Sequence, residues 1–186
     1  MEKNDWLKNY FSQYQASIGQ PGVNTQLIEL SQWIVQANKA GKKTIFVGNG
    51  GSAAMSSHCA VDFTKTANIR AINFNEADLI TCFANDYGYE NWVQKALEFY
   101  ADPGDVIVLI SSSGKSPNMV NGAKYAASKG FNLATVTGFS ADNPMRSLGK
   151  INLWVDSTGY NIVENTHIIW LLAVCDLIIA SNSKAI

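Results

Sequence analysis

Twice in this chain a short, wholly apolar run breaks into a turn of small polar residues and then into a helix, and that repetition restricts the fold more than any other feature. The first instance is Thr44–Thr64, TIFVGNGGSAAMSSHCAVDFT, in which Ile45–Val47 reads as a buried strand and Ser52 opens a helix. Gly48, Gly50 and Gly51 leave room for a ligand against the backbone between them. A helix N-terminus carries unpaired N–H groups and partial positive charge, so this turn suits a small anion such as phosphate, with Asn49, Gly50, Gly51 and Ser52 as the binding residues. The spacing matches neither GxGxxG nor GxxxxGK[ST], which argues against a nucleotide cofactor. The second instance is Asp105–Ile110, a buried strand that runs into Ser111-Ser112-Ser113-Gly114-Lys115-Ser116. Its hydroxyls, followed by a helix over Met119–Lys129 opened by Pro117 or Asn118, make a second phosphate cradle. In an open parallel α/β sheet, ligands collect beyond the carboxyl ends of the strands near the point where strand order reverses, and both turns belong there.

The remaining elements alternate as a doubly wound sheet requires. Helical spacing over 3–18 (Trp6, Tyr10, Phe11, Tyr14) and 24–40 (Leu27, Leu30, Ile34, Ala37) predicts two N-terminal helices, the second stopped at Gly41. After the first strand and helix the pattern gives a strand over Arg70–Phe74, helices around Asp78–Ala84 and over Tyr89–Tyr100, and the second strand. Helix Met119–Lys129, strand Asn132–Thr137, a polar loop at 138–144, strand Ile151–Val155 and helix Ile162–Ala180 follow. Strands separated by helices favour a parallel sheet. With no internal repeat and no linker, one domain is expected over 1–186, with N-terminal helices at 1–40 and an α/β core at 41–186.

Composition limits the partners. A net charge of −1 gives no electrostatic footprint for nucleic acid or for an anionic membrane, so any anion bound is small. The three cysteines, Cys59, Cys82 and Cys175, are widely spaced, which predicts reduced thiols rather than disulfides or a zinc ribbon. The N-terminus has no apolar signal core, and the apolar run from Ile168 to Ala180 is interrupted by Asp176. That run reads as a buried helix too short to span a membrane, and a cytoplasmic location is expected.

The chain has two histidines, and each falls on a helix beside these turns. His58 lies two turns into the first such helix, with Asp62 four residues on along the same face. The pair suits a metal or a proton transfer. His167 follows Glu164 by three residues on the last helix. A neutral imidazole beside a carboxylate is a common acid/base arrangement near neutral pH, though neither pair matches a specific zinc signature.

The segments VGNGGSAA…SSHCAVDF, FANDYGYE, ISSSGKSPN and VTG, in this order over nearly the whole chain, resemble the sugar isomerase (SIS) domain family. Within it the chain is most similar to the phosphoheptose isomerases, which interconvert sedoheptulose 7-phosphate and D-glycero-D-manno-heptose 7-phosphate for lipopolysaccharide or capsule heptose. The resemblance implies a three-layer α/β/α sandwich with a mainly parallel sheet and extra N-terminal helices, assembled as a homotetramer with sites shared between subunits. By position, Asn49, Gly50, Gly51 and Ser52 match the first substrate-contacting turn. Ser111, Ser112, Ser113 and Ser116 match the phosphate loop, and Asn85-Asp86 matches a further substrate-side motif.

The catalytic pattern departs from the family's. His58 matches the family's histidine, but Asp62 replaces a glutamate, and Val163 and Leu171 stand where a glutamine and a histidine are expected. His167 lies four residues from each, on the same helical stripe. The resulting expectation is an aldose–ketose isomerase with Asp62 as base, its pKa raised by burial, and His167 as acid. His58, with Asp62, would orient the sugar or hold zinc or another divalent metal. Two alternatives stay open: a sugar-phosphate-binding regulator without turnover, like the family's regulator of bacterial replication initiation, and an isomerase for a different sugar phosphate.

Overall fold

The computed structural model describes residues 1–183. Apolar, largely β-branched runs form its strands: β1 (Thr44–Gly48) and β3 (Val106–Ser111) are buried at every position. Full burial suits only a parallel sheet covered on both faces. With β2 (Ala71–Asn73), β4 (Asn132–Thr137) and β5 (Ile151–Trp154) they make a five-stranded sheet in the order β2-β1-β3-β4-β5, every neighbouring pair parallel. Alternate side chains feed two cores. Phe46, Val108, Ile110 and Val136 face one side, where α2 (Val23–Lys39), α3 (Gly51–Lys65) and α7 (Tyr160–Ser183) contribute Ile34, Phe63 and Trp170. Ile45, Val47, Ile107 and Leu109 face the other, against α5 (Trp92–Tyr100) and α6 (Pro117–Ser128). The three-layer α/β/α sandwich is thus the observed architecture, with the expected N-terminal helices α1 (Lys3–Ile18) and α2 in front. Helix α1 rests on α7, tied by the Trp170 indole N–H donating to the Ile18 carbonyl at 2.9 Å and by Asn165 donating to the Tyr14 hydroxyl at 2.9 Å, while Trp6 and Phe11 remain exposed.

Several boundaries differ from the sequence expectation for identifiable reasons. Helix α4 (Ala77–Tyr87) runs three residues past Ala84 and stops where Gly88 takes φ +85°. The expected 89–100 helix is instead a 3₁₀ turn at Tyr89–Asn91 followed by α5, with Asn91 at φ −113° where the two meet. Helix α6 starts at Pro117, whose missing N–H costs nothing in a first turn. The loop at 138–144 leads into a 3₁₀ turn at Pro144–Ser147, where the Asn143 side chain accepts from the Arg146 N–H at 3.1 Å. Helix α7 is the larger correction. At 24 residues it is long and apolar enough to cross a membrane, contrary to the expectation of a run too short to span. Its apolarity is accounted for by packing: Ile162, Val163, Trp170, Leu171, Val174, Cys175 and Ile178 are buried.

Topology fixes the crevice. The chain leaves β1 through α3 toward the β2 edge and leaves β3 through α6 toward the β4 edge. The strand order therefore reverses between β1 and β3, and their C-terminal ends open a cleft between diverging connections.

Candidate active site at the switch point

The two polar turns meet at that reversal. Gly48 allows the first turn to close, because a Cβ there would lie 2.5 Å from Ser52 Cβ and 2.6 Å from its carbonyl carbon. Gly50 takes φ +53°, and α3 begins at the next residue, with the Ser52 N–H donating to the Asn49 carbonyl at 2.9 Å and the Ala53 N–H to the Gly50 carbonyl at 3.0 Å. The second turn is held from behind by backbone bonds from Gly138 N–H to the Ser112 carbonyl (2.9 Å) and from Met145 N–H to the Gly114 carbonyl (3.3 Å). Asn49 and Asn118 lock the turns together. Each side-chain amide donates to the other's oxygen, at 3.0 and 2.9 Å, and Asn118 is buried. Tyr89 Oη, 3.5 Å from Asn49 Oδ1, brings the segment after α4 up to the same point.

Between the turns lies a cleft of about 160 Å³ lined by Asn49, Ser52, the four serines 111, 112, 113 and 116, and Tyr160 and Glu164 of α7. Eight of its nine lining positions carry hydroxyl, amide or carboxylate side chains, a composition suited to a hydrated anion rather than an apolar ligand. Among the described residues lining it, Glu164 is the acidic one. Its Oε1 accepts from Ser112 Oγ at 3.4 Å, and its Oε2 lies 2.6 Å from where a Cβ on Gly51 would stand. The carboxylate thus bridges the two turns and sits at the α3 N-terminus, where a negative charge is favoured. The sequence pairs Glu164 with His167 as an acid/base candidate, and the structure separates them, Glu164 at the cleft and His167 on the buried Thr137 carbonyl. The signal for Glu164 at the cleft is its place in the first turns of a helix that returns across the crevice.

The other expected residues fall in different places. Asn49, Ser52, Ser111, Ser112, Ser113 and Ser116 line the cleft, while Gly50 and Gly51, between Asn49 and Ser52 in the first turn, are not among its lining residues. Asp86, on α4, is exposed and accepts from Asn85 Nδ2 at 3.0 Å without lining the cleft. His58 and Asp62 face outward from α3, joined at 3.1 Å, with side chains 54% and 36% exposed. Asp62 is therefore not buried as the base expectation required, and neither residue lines the cleft of its own chain. His167 does not reach the cleft. It is wholly buried, its Nε2–H donates to the Thr137 carbonyl at 2.9 Å, and burial pushes its pKa down to about 4, so it is neutral and sealed from substrate. Val163 and Leu171 are fully buried in the core beneath α7.

A metal does not fit the donors on one chain. Zinc sites use three protein ligands when catalytic and four when structural. His58 and Asp62 supply two, and no group of three or more His, Cys, Asp or Glu side chains occurs among the described residues. The cysteines do not add to the set: Cys59 and Cys175 are buried and Cys82 is exposed on α4.

Comparison with known proteins agrees with this geometry. Residues 9–138 match the SIS domain family model. The chain is 34% identical over 160 residues to a probable phosphoheptose isomerase of Thermoplasma acidophilum, covering 82% of this chain and 87% of that protein. It is 33% identical over 146 residues to the phosphoheptose isomerase of Akkermansia muciniphila, covering 75% and 77%. The solved structure of phosphoheptose isomerase GmhA from Neisseria gonorrhoeae superposes with a TM-score of 0.85 at 24% identity, over 94% of this chain and 97% of that one, a likeness of fold. With a five-stranded parallel sheet, two polar turns at its switch point and a family match across most of its length, the chain belongs to the SIS domain family.

Proposed function

We propose that the chain is an aldose–ketose isomerase of an open-chain sugar phosphate, with sedoheptulose 7-phosphate and D-glycero-D-manno-heptose 7-phosphate as the pair interconverted. The observation that carries this reading is the cleft itself. Four serines and the α6 N-terminus line it, fit to hold a phosphate, while the Glu164 carboxylate reaches from Ser112 to the α3 N-terminus. Phosphate binding at the serine turn anchors one end of the substrate and presents its carbonyl end to the glycine turn, supplying the fixed geometry that proton abstraction beside a carbonyl requires.

The finer reading draws on the relatives, which are phosphoheptose isomerases. It places the protein in the cytoplasm, supplying heptose for lipopolysaccharide or capsule, and assembles it as a homotetramer. The exposed aromatic side chains Trp6 and Phe11 of α1 support an interface between copies, and the outward-facing His58–Asp62 pair is the set a neighbouring copy's cleft would receive.

The test is proton exchange at the carbon beside the carbonyl of sedoheptulose 7-phosphate, followed by NMR in deuterated water with purified protein. Deuterium incorporation together with aldose product is expected. Ligand binding without exchange would instead make the chain a sugar-phosphate-binding regulator.

A further inference from the structure

We propose that Glu164 is the general base of the isomerisation, an inference that rests on the isomerase reading above. Three observations converge on it. Glu164 is the acidic side chain among the described residues lining the cleft, half-buried between the serine turn and Gly51. Its two oxygens address two different turns: Oε1 accepts from Ser112 Oγ at 3.4 Å, and Oε2 lies against Gly51, where a methyl would approach to 2.6 Å. Its own helix is anchored under it, since the adjacent Val163 is fully buried and Ile162 nearly so, which fixes the carboxylate relative to the sheet. Asp62 has none of these features. It faces out of α3, joined to His58, and does not line this cleft.

The step balances without an external oxidant or reductant. A Glu164 carboxylate oxygen takes the proton from the hydroxyl-bearing carbon beside the carbonyl, and the freed C–H electron pair becomes the C=C bond of an enediolate as the carbonyl π pair moves onto oxygen. That oxygen takes a proton from solvent to give the enediol. The protonated Glu164 then returns its proton to the former carbonyl carbon, the neighbouring O–H electron pair forms the new C=O bond, and that hydroxyl's proton passes back to solvent. One carbon is oxidised and its neighbour reduced.

Gly51 gives a test independent of removing the carboxylate. It is the first residue of α3 and does not hold a positive φ, so alanine suits its backbone; the nearest atoms its added methyl meets are those of the Glu164 carboxylate. A carboxylate that merely caps the helix would be missed in stability, whereas a base would be missed in turnover.

The experiment measures deuterium exchange, kcat and KM on sedoheptulose 7-phosphate, with thermal unfolding in parallel, for wild type, Glu164→Gln, Glu164→Asp, Gly51→Ala and Asp62→Asn. The expected result is a fall in kcat of about 10³-fold for Glu164→Gln with KM within about threefold of wild type. Glu164→Asp should recover part of that loss, and Gly51→Ala should unfold no earlier than wild type yet lose about tenfold or more in kcat. The assignment is overturned if Glu164→Gln exchanges within about threefold of wild type, or if Asp62→Asn alone stops exchange and Glu164→Gln changes only the unfolding temperature. Failure of the isomerase reading shows separately and first, as a wild-type protein that exchanges no deuterium, and it removes the base with it.

Discussion

Replacing His167 with leucine should remove most of the acid sensitivity of this fold between pH 6.5 and 4. The imidazole is wholly buried, with Nε2–H donating to the Thr137 carbonyl and Nδ1 buried without a hydrogen-bond partner among the described residues. Burial is the dominant cause of its depressed pKa, about 4 against an ordinary 6.5, and the bond to the carbonyl opposes it only in part. A histidine whose folded pKa lies below its unfolded one stabilises the fold fully above the unfolded value, and that contribution is lost as pH falls through the folded value. The separation of about 2.5 units amounts to about 3 kcal/mol at full protonation, of which about 2 kcal/mol is already gone by pH 5. At pH 7.5 the leucine variant should differ little from wild type. It loses one hydrogen bond but also removes an unpaired buried nitrogen, and the Thr137 carbonyl keeps the Val155 N–H at 2.9 Å. Urea unfolding at pH 7.5, 6, 5 and 4.5 reads the difference. A wild-type-minus-variant stability that stays flat across that range would refute the reasoning, because it would mean that His167 is charged or hydrated in the folded state.

Gly48→Ala should destabilise the protein by about 1–3 kcal/mol in urea unfolding, since its methyl would press into both the side chain and the backbone of Ser52. An unchanged midpoint would mean that the turn opens freely. Among the thiols, an aromatic disulfide reagent at pH 8 should label exposed Cys82 in the native protein while Cys59 stays unreactive, its pKa pushed up to about 12 mainly by burial, with Cys175 and Asp62 adding to the effect. Cys82 should react more slowly than a free thiol, because the Asp86 carboxylate raises its pKa. All three cysteines should label in denaturant.

The order of elements and the location of the crevice were legible in the sequence because both depend on local pattern. Apolar runs at 45–47 and 106–110, each followed by a small-residue turn and a helix start, dictate parallel strands with ligand-facing C-terminal ends. The cleft-lining serines and Asn49 followed from the same pattern. Helical spacing at 58 and 62 also predicted the His58–Asp62 contact, since side chains four apart share a face. Which face that is relative to the cleft depends on how α3 is rolled against β1 and β2, and no local pattern records it.

The sequence by itself determined the doubly wound α/β order and the two anion-suited turns, because propensity, hydrophobic period and turn chemistry act over a few residues. Only the tertiary structure decided which ionisable groups enter the cleft. Helix α7 lies more than a hundred residues from the first turn, and its roll against β4 buries His167 on the Thr137 carbonyl while swinging Glu164, three residues earlier, over Gly51. On a helix, residues three apart stand only about 60° apart around the axis and almost a turn apart along it, so the outcome turns on where the apolar stripe falls. His167 sits in the middle of the buried stripe through Val163, Trp170 and Leu171 and is sealed with it, while Glu164, at its edge in the helix's first turns, meets the cleft.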